Sequence, residues 1–442
     1  MHSTQLSAWG RGVPTRSTVW AAADAAAALA GAGPRGLIAR GEGRSYGDAC
    51  LNDEGSVLQT TGTGELLAFD RDCGVLECTS GVTFRQLLER LLPEGWLAPV
   101  TPGTSFVTMG GALANDVHGK NQGGAGSFGD HVAWFDLRLP DGTLQRVTRD
   151  ADMALFAATV GGIGLTGIIE RLQVRLVRVP SNAMALTETR MPDLDAFLER
   201  MSDAVATHSH VVGWIDGMIG GRHLGRGILE CATPSEQDIA IARGHGFTMP
   251  VDLPGWVLSR PTIAAFNEIY YRRVPAGGRH RRIAMEQFLY ALDAIREWNR
   301  LYGRQGVDQF QCVVPLAESR TALRMILETT VRRGGASFLA VLKRFGRLGS
   351  GMLSFPMPGF SLALDFPRRR ADTRDLVERL GDIALAHGGR VYLAKDSRLT
   401  PAQFSAMYPR LAEFRAVLDR IDPERRMQSD MARRLQVRGA GA

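Results

Sequence analysis

The chain holds 52 lysines and arginines, yet only three are lysines: Lys120, Lys343 and Lys395. A drift toward arginine accounts for the imbalance as composition. It also marks the survivors, because arginine replaces lysine where charge alone matters but not where a compact, titratable amine is needed. Two loops carry a second kind of chemistry. One is Arg40-Gly41-Glu42-Gly43-Arg44-Ser45-Tyr46-Gly47-Asp48. The other runs from Pro102 to Lys120 and contains Gly103, Thr108, Gly110, Gly111 and His118. Small residues let backbone N–H groups approach a phosphate closely, although tight turns in a chain with 51 glycines have the same composition.

Other chemistries are disfavoured. The pattern G-x-G-x-x-G occurs at Gly31/Gly33/Gly36, Gly124/Gly126/Gly129 and Gly162/Gly164/Gly167. A dinucleotide fingerprint needs a strand before it and a helix after it. The first and third matches follow helical patterns and lead into strands, and the second leads into a strand, which speaks against a Rossmann unit. The cysteines Cys50, Cys73, Cys78, Cys231 and Cys312 show no C-x-x-C spacing, so neither a disulfide framework nor a metal site is expected. Net charge is +6, but arginine is dispersed without a basic block, and nucleic-acid binding is not expected. No apolar run is long enough to span a bilayer, and the N-terminus lacks the apolar core of a secretory signal. The expectation is a cytoplasmic protein, with contact at the periphery of the inner membrane compatible and the periplasm left open.

The elements that must position these residues fall into two regions. Up to about Pro180, helices are expected over 21–30, 83–92 and 153–159. Strands are expected over 37–39, 57–59, 75–79, 132–139, 144–147 and 167–179, with Asp141-Gly142 as a hairpin turn. Beyond Pro180 glycine thins. Strands are expected over 210–215, 309–314, 338–345 and 359–366, and a long helix over 284–302. The tail reads as strand 390–393 and helices 401–419 and 423–435. The alternation is not a regular βαβ series, so the fold class is α+β.

The loops resemble the FAD-binding domain of the vanillyl-alcohol oxidase / p-cresol methylhydroxylase family. The runs GRSYGDACLN, VTMGGALANDVHGKNQGGAGSFGDHV, TVGGIGLTGII, YLAKDSR and SDMARRL narrow the resemblance. They are similar to the branch that oxidises polyprenyl-phosphoryl pentoses of the decaprenylphosphoryl-β-D-ribose type. The resemblance implies a two-domain flavoprotein with a non-Rossmann FAD-binding domain and a cap, or substrate, domain containing an antiparallel sheet. Residues 1–179 would form the first part of the FAD domain, 180–388 the cap, and 389–442 a segment returning to the FAD domain.

Carried over by motif, FAD contacts fall on Ala39, Arg40, Gly41, Glu42, Gly43, Arg44, Ser45, Tyr46, Gly47, Asp48 and Ala49. They continue through Gly103, Thr108, Met109, Gly110, Gly111, Asn115, Asp116, Val117, His118, Ile169 and Tyr392. Many relatives attach FAD through a histidine where this chain has Arg44, so non-covalent FAD is expected. Lys395, His118 and Tyr46 are the catalytic candidates, with His118 able to relay a proton near neutral pH. Trp214, Gln309, Gln311, Lys343 and Lys120 are candidates for holding substrate. Ala363 stands where relatives can carry a cysteine, which removes a thiol but nothing that hydride transfer requires. The resemblance implies oxidation of a ribose 2′-hydroxyl to a 2′-keto sugar, which a separate short-chain reductase partner reduces to the arabinose epimer. Two alternatives stay open: an FAD-dependent oxidase or dehydrogenase of a soluble polyol or sugar lactone, and a non-catalytic flavin-binding redox scaffold.

Overall fold

A computed structural model describes residues 2–62, 64–240, 247–334, 338–368 and 372–439. The N-terminal region builds two sheets. A four-stranded sheet runs His2–Leu6, Thr15–Ala21, Ser56–Gln59, Leu37–Arg40, with its first junction antiparallel and the other two parallel. A five-stranded antiparallel sheet runs Leu66–Asp70, Val75–Thr79, Ile168–Arg175, Val132–Arg138, Leu144–Thr148. The helix Phe84–Leu91 packs against the short strand Trp96–Leu97. A capping box of Thr83 and Gln86 starts it, and Phe84, Leu87, Leu88 and Leu91 form its buried face. The glycine loops leave the ends of these strands.

The middle of the chain forms an eight-stranded antiparallel sheet. From one edge its first four strands are Arg279–Ala284, Ala183–Met191, Gly227–Pro234 and His210–Ile215. We label the next three in chain order: β1 (Val307–Pro315), β2 (Ala340–Phe345) and β3 (Gly359–Pro367). β3 lies between β2 and β1, and the short strand Arg390–Val391 pairs beyond β1. Helices Leu194–Ala204, Ser319–Arg332 and Thr373–Ala386 pack on one face of this sheet. The result is the α+β architecture expected, with an antiparallel cap sheet and, among the described residues, no Rossmann unit.

The strand expected over 167–179 divides into Ile168–Arg175 and Val177–Arg178, the latter pairing with Trp96–Leu97, and the helix over 21–30 is regular only from Ala25 to Ala30. Three further helices change more. The helix over 284–302 is broken into Met285–Leu289, Ala291–Ala294 and Trp298–Tyr302. Between the last two, Ile295–Arg296 pairs in parallel with Phe247–Thr248. The Asp293 carboxylate accepts from the Ser105 N–H (2.7 Å) and hydroxyl (2.6 Å), which ties the end of the second turn to the glycine loop, and Glu297 adopts φ +53°. The helix over 423–435 shrinks to Asp430–Arg434, because the preceding backbone exchanges bonds with Leu37 instead. The helix over 401–419 splits into Pro401–Met407 and Leu411–Ile421 at Tyr408, whose hydroxyl donates to the Val391 carbonyl (2.6 Å).

Candidate active site

The glycine loops and the cap sheet face each other across a cavity of about 510 Å³, within the usual range for small-molecule sites. One wall is the sheet face made by β1, β2 and β3. Side chains two apart on a strand share a face. The cross-strand pairs Gln309↔Asp365, Gln311↔Ala363↔Val341 and Ser361↔Lys343 therefore stack as successive rows. Every member of these rows except Asp365 lines the cavity.

Lys395 enters from the turn after Arg390–Val391. The Tyr392 N–H donates to the Gln311 carbonyl (2.9 Å), and the N–H groups of Lys395 (2.9 Å) and Asp396 (3.0 Å) return to the Tyr392 carbonyl. The turn thus projects Lys395 into the cavity, its Nζ 3.9 Å from the centre of the Tyr46 ring. Asp365 sits behind it, accepting from the Tyr302 hydroxyl (3.1 Å) and from the Gln309 amide. Burial lowers the Lys395 ammonium and raises the Asp365 carboxyl, and the attraction between them opposes both shifts. Burial, reinforced by the charges of Lys120 and Lys395, lowers Lys343 to about 7.

His118 is boxed by Phe345, Phe355 and Tyr392, with ring centroids 4.9, 5.3 and 5.0 Å away. Gln311 presents its amide N–H to His118 Nε2 (2.9 Å), which puts the ring proton on Nδ1. Burial, then Lys343 and Lys395, holds the imidazole well below its ordinary value. That direction keeps the ring neutral near physiological pH and leaves at Nδ1 an N–H unpartnered among the described residues, which speaks against a proton relay near neutrality. Burial, then Asp365, raises Tyr46 well above its ordinary value, so its phenol stays protonated.

Of the residues expected at the cofactor, Ala39, Gly41, Glu42, Gly43, Arg44, Ser45, Tyr46, Ala49, Gly103, Thr108, Gly110, Gly111, Asn115, Val117, His118, Ile169 and Tyr392 line the cavity. Five do not, for identifiable reasons. Arg40 supports its loop, donating to the Ser7 carbonyl (2.8 Å) and the Cys50 thiol (3.3 Å). Gly47 is pressed against the Lys395 turn, and Asp48 is paired with Arg434. Met109 is fully buried. Asp116 ties the Ser127–Gly129 turn to Ser354 by accepting from the Ser127 hydroxyl (2.9 Å), Gly129 N–H (3.0 Å) and Ser354 hydroxyl (2.6 Å).

Two expected substrate residues also lie off the cavity. Lys120 caps the Phe288 carbonyl with its ammonium 4.1 Å from that ring's centre. Trp214 is opposite Val341 in the sheet, but its indole N–H donates to the Phe338 carbonyl (3.1 Å) and its ring packs on Tyr270. Asp365 is the neighbour of the site that sequence reasoning missed. The signal was present, since a carboxylate two residues from Ala363 in an apolar strand must share that residue's face.

A largely apolar cavity with a few unpartnered polar atoms suits a phosphate-bearing, aromatic cofactor. Arg44 Nε, Asn115 Oδ1 and His118 Nδ1 are buried without a hydrogen-bond partner among the described residues. Arg44 is held between Trp9 (4.3 Å) and Phe106 (4.9 Å). At Gly103 an added Cβ would meet no protein atom within 4 Å, so the backbone opens onto the cavity. Unpartnered buried polar atoms are costly unless a ligand satisfies them.

Comparison with known proteins agrees with this geometry. A family model described as an FAD binding domain matches residues 20–148, and one described as D-arabinono-1,4-lactone oxidase matches residues 363–435. Decaprenylphosphoryl-β-D-ribose oxidase of Mycolicibacterium smegmatis is 35% identical, over 98% of this chain and 97% of its own length. An uncharacterised protein from the mprA 5′ region of Streptomyces coelicolor is 34% identical, over 80% of this chain and all of its own length. A D-lactate dehydrogenase of Anaerostipes hadrus is 25% identical over 35% of this chain and 32% of its own length.

Proposed function

Because the chain belongs to the decaprenylphosphoryl-β-D-ribose oxidase family of FAD-dependent oxidoreductases acting on hydroxyl groups, we propose that it oxidises the 2′-hydroxyl of a polyprenyl-phosphoryl ribose to the 2′-keto sugar. The observation that carries this reading is the pairing of near-full-length similarity with two buried amines in one cavity.

Bound FAD supplies the hydride acceptor, and the protein must hold the sugar and take the hydroxyl proton. Like charges oppose each other, so near neutrality the Lys343/Lys395 pair favours a state with one amine free of its proton. Lys343, the more depressed of the two amines, takes the proton at Nζ. Lys395, aimed by its turn and held charged by Asp365, binds the reacting hydroxyl oxygen, Gln309 and Gln311 orient the other sugar oxygens, and His118 donates from Nδ1. Loop residues 41–46 with Gly103, Gly110, Gly111 and Asn115 hold FAD, non-covalently at Arg44. Deuterium at C2′ of the ribose should slow reduction of bound flavin under anaerobic conditions. Equal rates for the C2′-labelled and unlabelled sugars, with slowing by a label at another carbon, would move the oxidation elsewhere on the ring.

Among the described residues no helix is long and apolar enough to cross a membrane. A lipid-linked substrate nonetheless requires contact with a bilayer. Phe247 lies beside Ile295 at the cavity rim, and Val251 and Trp256 on the adjoining segment are exposed, with Arg296 and Arg300 nearby. This rim is the proposed peripheral contact. The keto product calls for a reductase partner, which completes the epimerisation. The lactone-oxidase match over 363–435 favours a soluble polyol or lactone as the second reading.

A further inference from the structure

We propose that Arg434 is a positioning residue for Lys395, clamping the turn that carries this amine onto the first glycine loop by bridging Asp396 and Asp48. The proposal rests on the role given to Lys395 above. Arg434 donates from Nε to Asp48 Oδ2 (2.9 Å) and from Nη2 to Asp48 Oδ1 (2.7 Å) and Asp396 Oδ2 (2.9 Å). Its Nη1 donates to the Leu399 carbonyl (2.8 Å). A planar guanidinium fork can hold these acceptors together, and a lysine ammonium cannot reproduce that geometry.

Both ends of the bridge are themselves fixed. Asp396 is 3% exposed, and its second oxygen accepts from the Arg398 and Leu399 N–H groups (both 2.8 Å), closing the turn. On the other side, the Tyr46 N–H donates to the Ala394 carbonyl (3.0 Å), and a Cβ on Gly47 would lie 1.7 Å from the Asp396 carbonyl oxygen. Lys395 therefore emerges between two contacts to the loop that bears Tyr46. Arg434 does not line the cavity, so its effect on Lys395 passes through Asp396 and the Asp48 loop. The charged or titratable groups that face Lys395 are Asp365 on β3, Lys343 on β2, and His118 and Tyr46 on the loops.

With only three lysines in the chain, amine labelling is resolved residue by residue. Holoenzyme carrying Arg434→Lys, Arg434→Met or Asp48→Asn is compared with the unaltered protein and with Lys395→Ala. Reductive methylation across pH, read by mass spectrometry, titrates each amine, while anaerobic mixing with polyprenyl-phosphoryl ribose gives the rate of flavin reduction. The clamp predicts retained FAD and an unmoved Lys120. It predicts a Lys395 midpoint raised by about one pH unit toward that of free lysine. It also predicts flavin reduction slowed about 10- to 100-fold, with no rescue by Arg434→Lys. An unmoved Lys395 midpoint in the FAD-loaded variants overturns the proposal, as does a rate loss that only follows lost FAD. Should Lys395→Ala reduce its flavin at the unaltered rate, the role given to Lys395 falls, and the labelling still reports on the clamp.

Discussion

Lys343 is the least compensated charge in the cavity, with no carboxylate among the groups that shift it. Its cost has a definite sign. The folded amine titrates near 7, whereas in the unfolded chain it takes the ordinary lysine value of about 10.4. Between those values the unfolded chain binds a proton that the folded chain does not, so this residue's contribution to stability rises with pH through that window and is lowest below it. Lys343→Met should therefore stabilise the FAD-saturated protein in urea by roughly 2–4 kcal/mol at pH 6, with the difference fading toward pH 10. A variant no more stable than the parent at pH 6 contradicts this. At Arg44, a guanidinium stands where the wider family places a histidine for covalent attachment. Acid precipitation should release all flavin into solution, and flavin left on the pellet would refute non-covalent binding.

At the scale of elements, the strands in and beside the cavity wall were the legible part, whereas Ala183–Met191, Gly227–Pro234 and Arg279–Ala284 of the same sheet were not expected. Hydrophobic runs located 210–215 without error and β1 and β3 to within two residues, because each is a short run dense in apolar and β-branched residues. The broken helix over 284–302 was not legible. Its helical pattern gives way to a pairing with Phe247–Thr248, and Ser105, nearly two hundred residues earlier, anchors the Asp293 carboxylate. The same applies to the tail, where Leu37 competes for the backbone before Asp430. The glycine loops divide into two uses that composition does not separate. Gly47→Ala would force a backbone collision with Asp396, so thermal stability should drop by about 2 kcal/mol or more. Gly103→Ala meets no protein atom and should leave folding intact while weakening FAD affinity. Equal effects of the two on stability would contradict this division.

Across the whole molecule, the cap sheet and the C-terminal turn bring together residues separated by hundreds of positions, such as His118 with Gln311 and Tyr46 with Lys395. Two of the three lysines meet in the cavity, while Lys120 serves the packing around Phe288. Scarcity of lysine pointed to the site, but only the fold separates the amines that face it from the one that does not. Asp48 and Gly47 show the same limit: their motif marks the loop, and tertiary contact decides that they hold the Lys395 turn rather than line the cavity. The central claim concerns what this assembled cavity oxidises. The most direct measurement is anaerobic mixing of the FAD-loaded protein with polyprenyl-phosphoryl ribose, and separately with soluble polyols and sugar lactones, while following flavin absorbance. Rapid bleaching by the lipid-linked ribose with little response to the soluble compounds is the predicted result; bleaching by the polyols or lactones alone would contradict it.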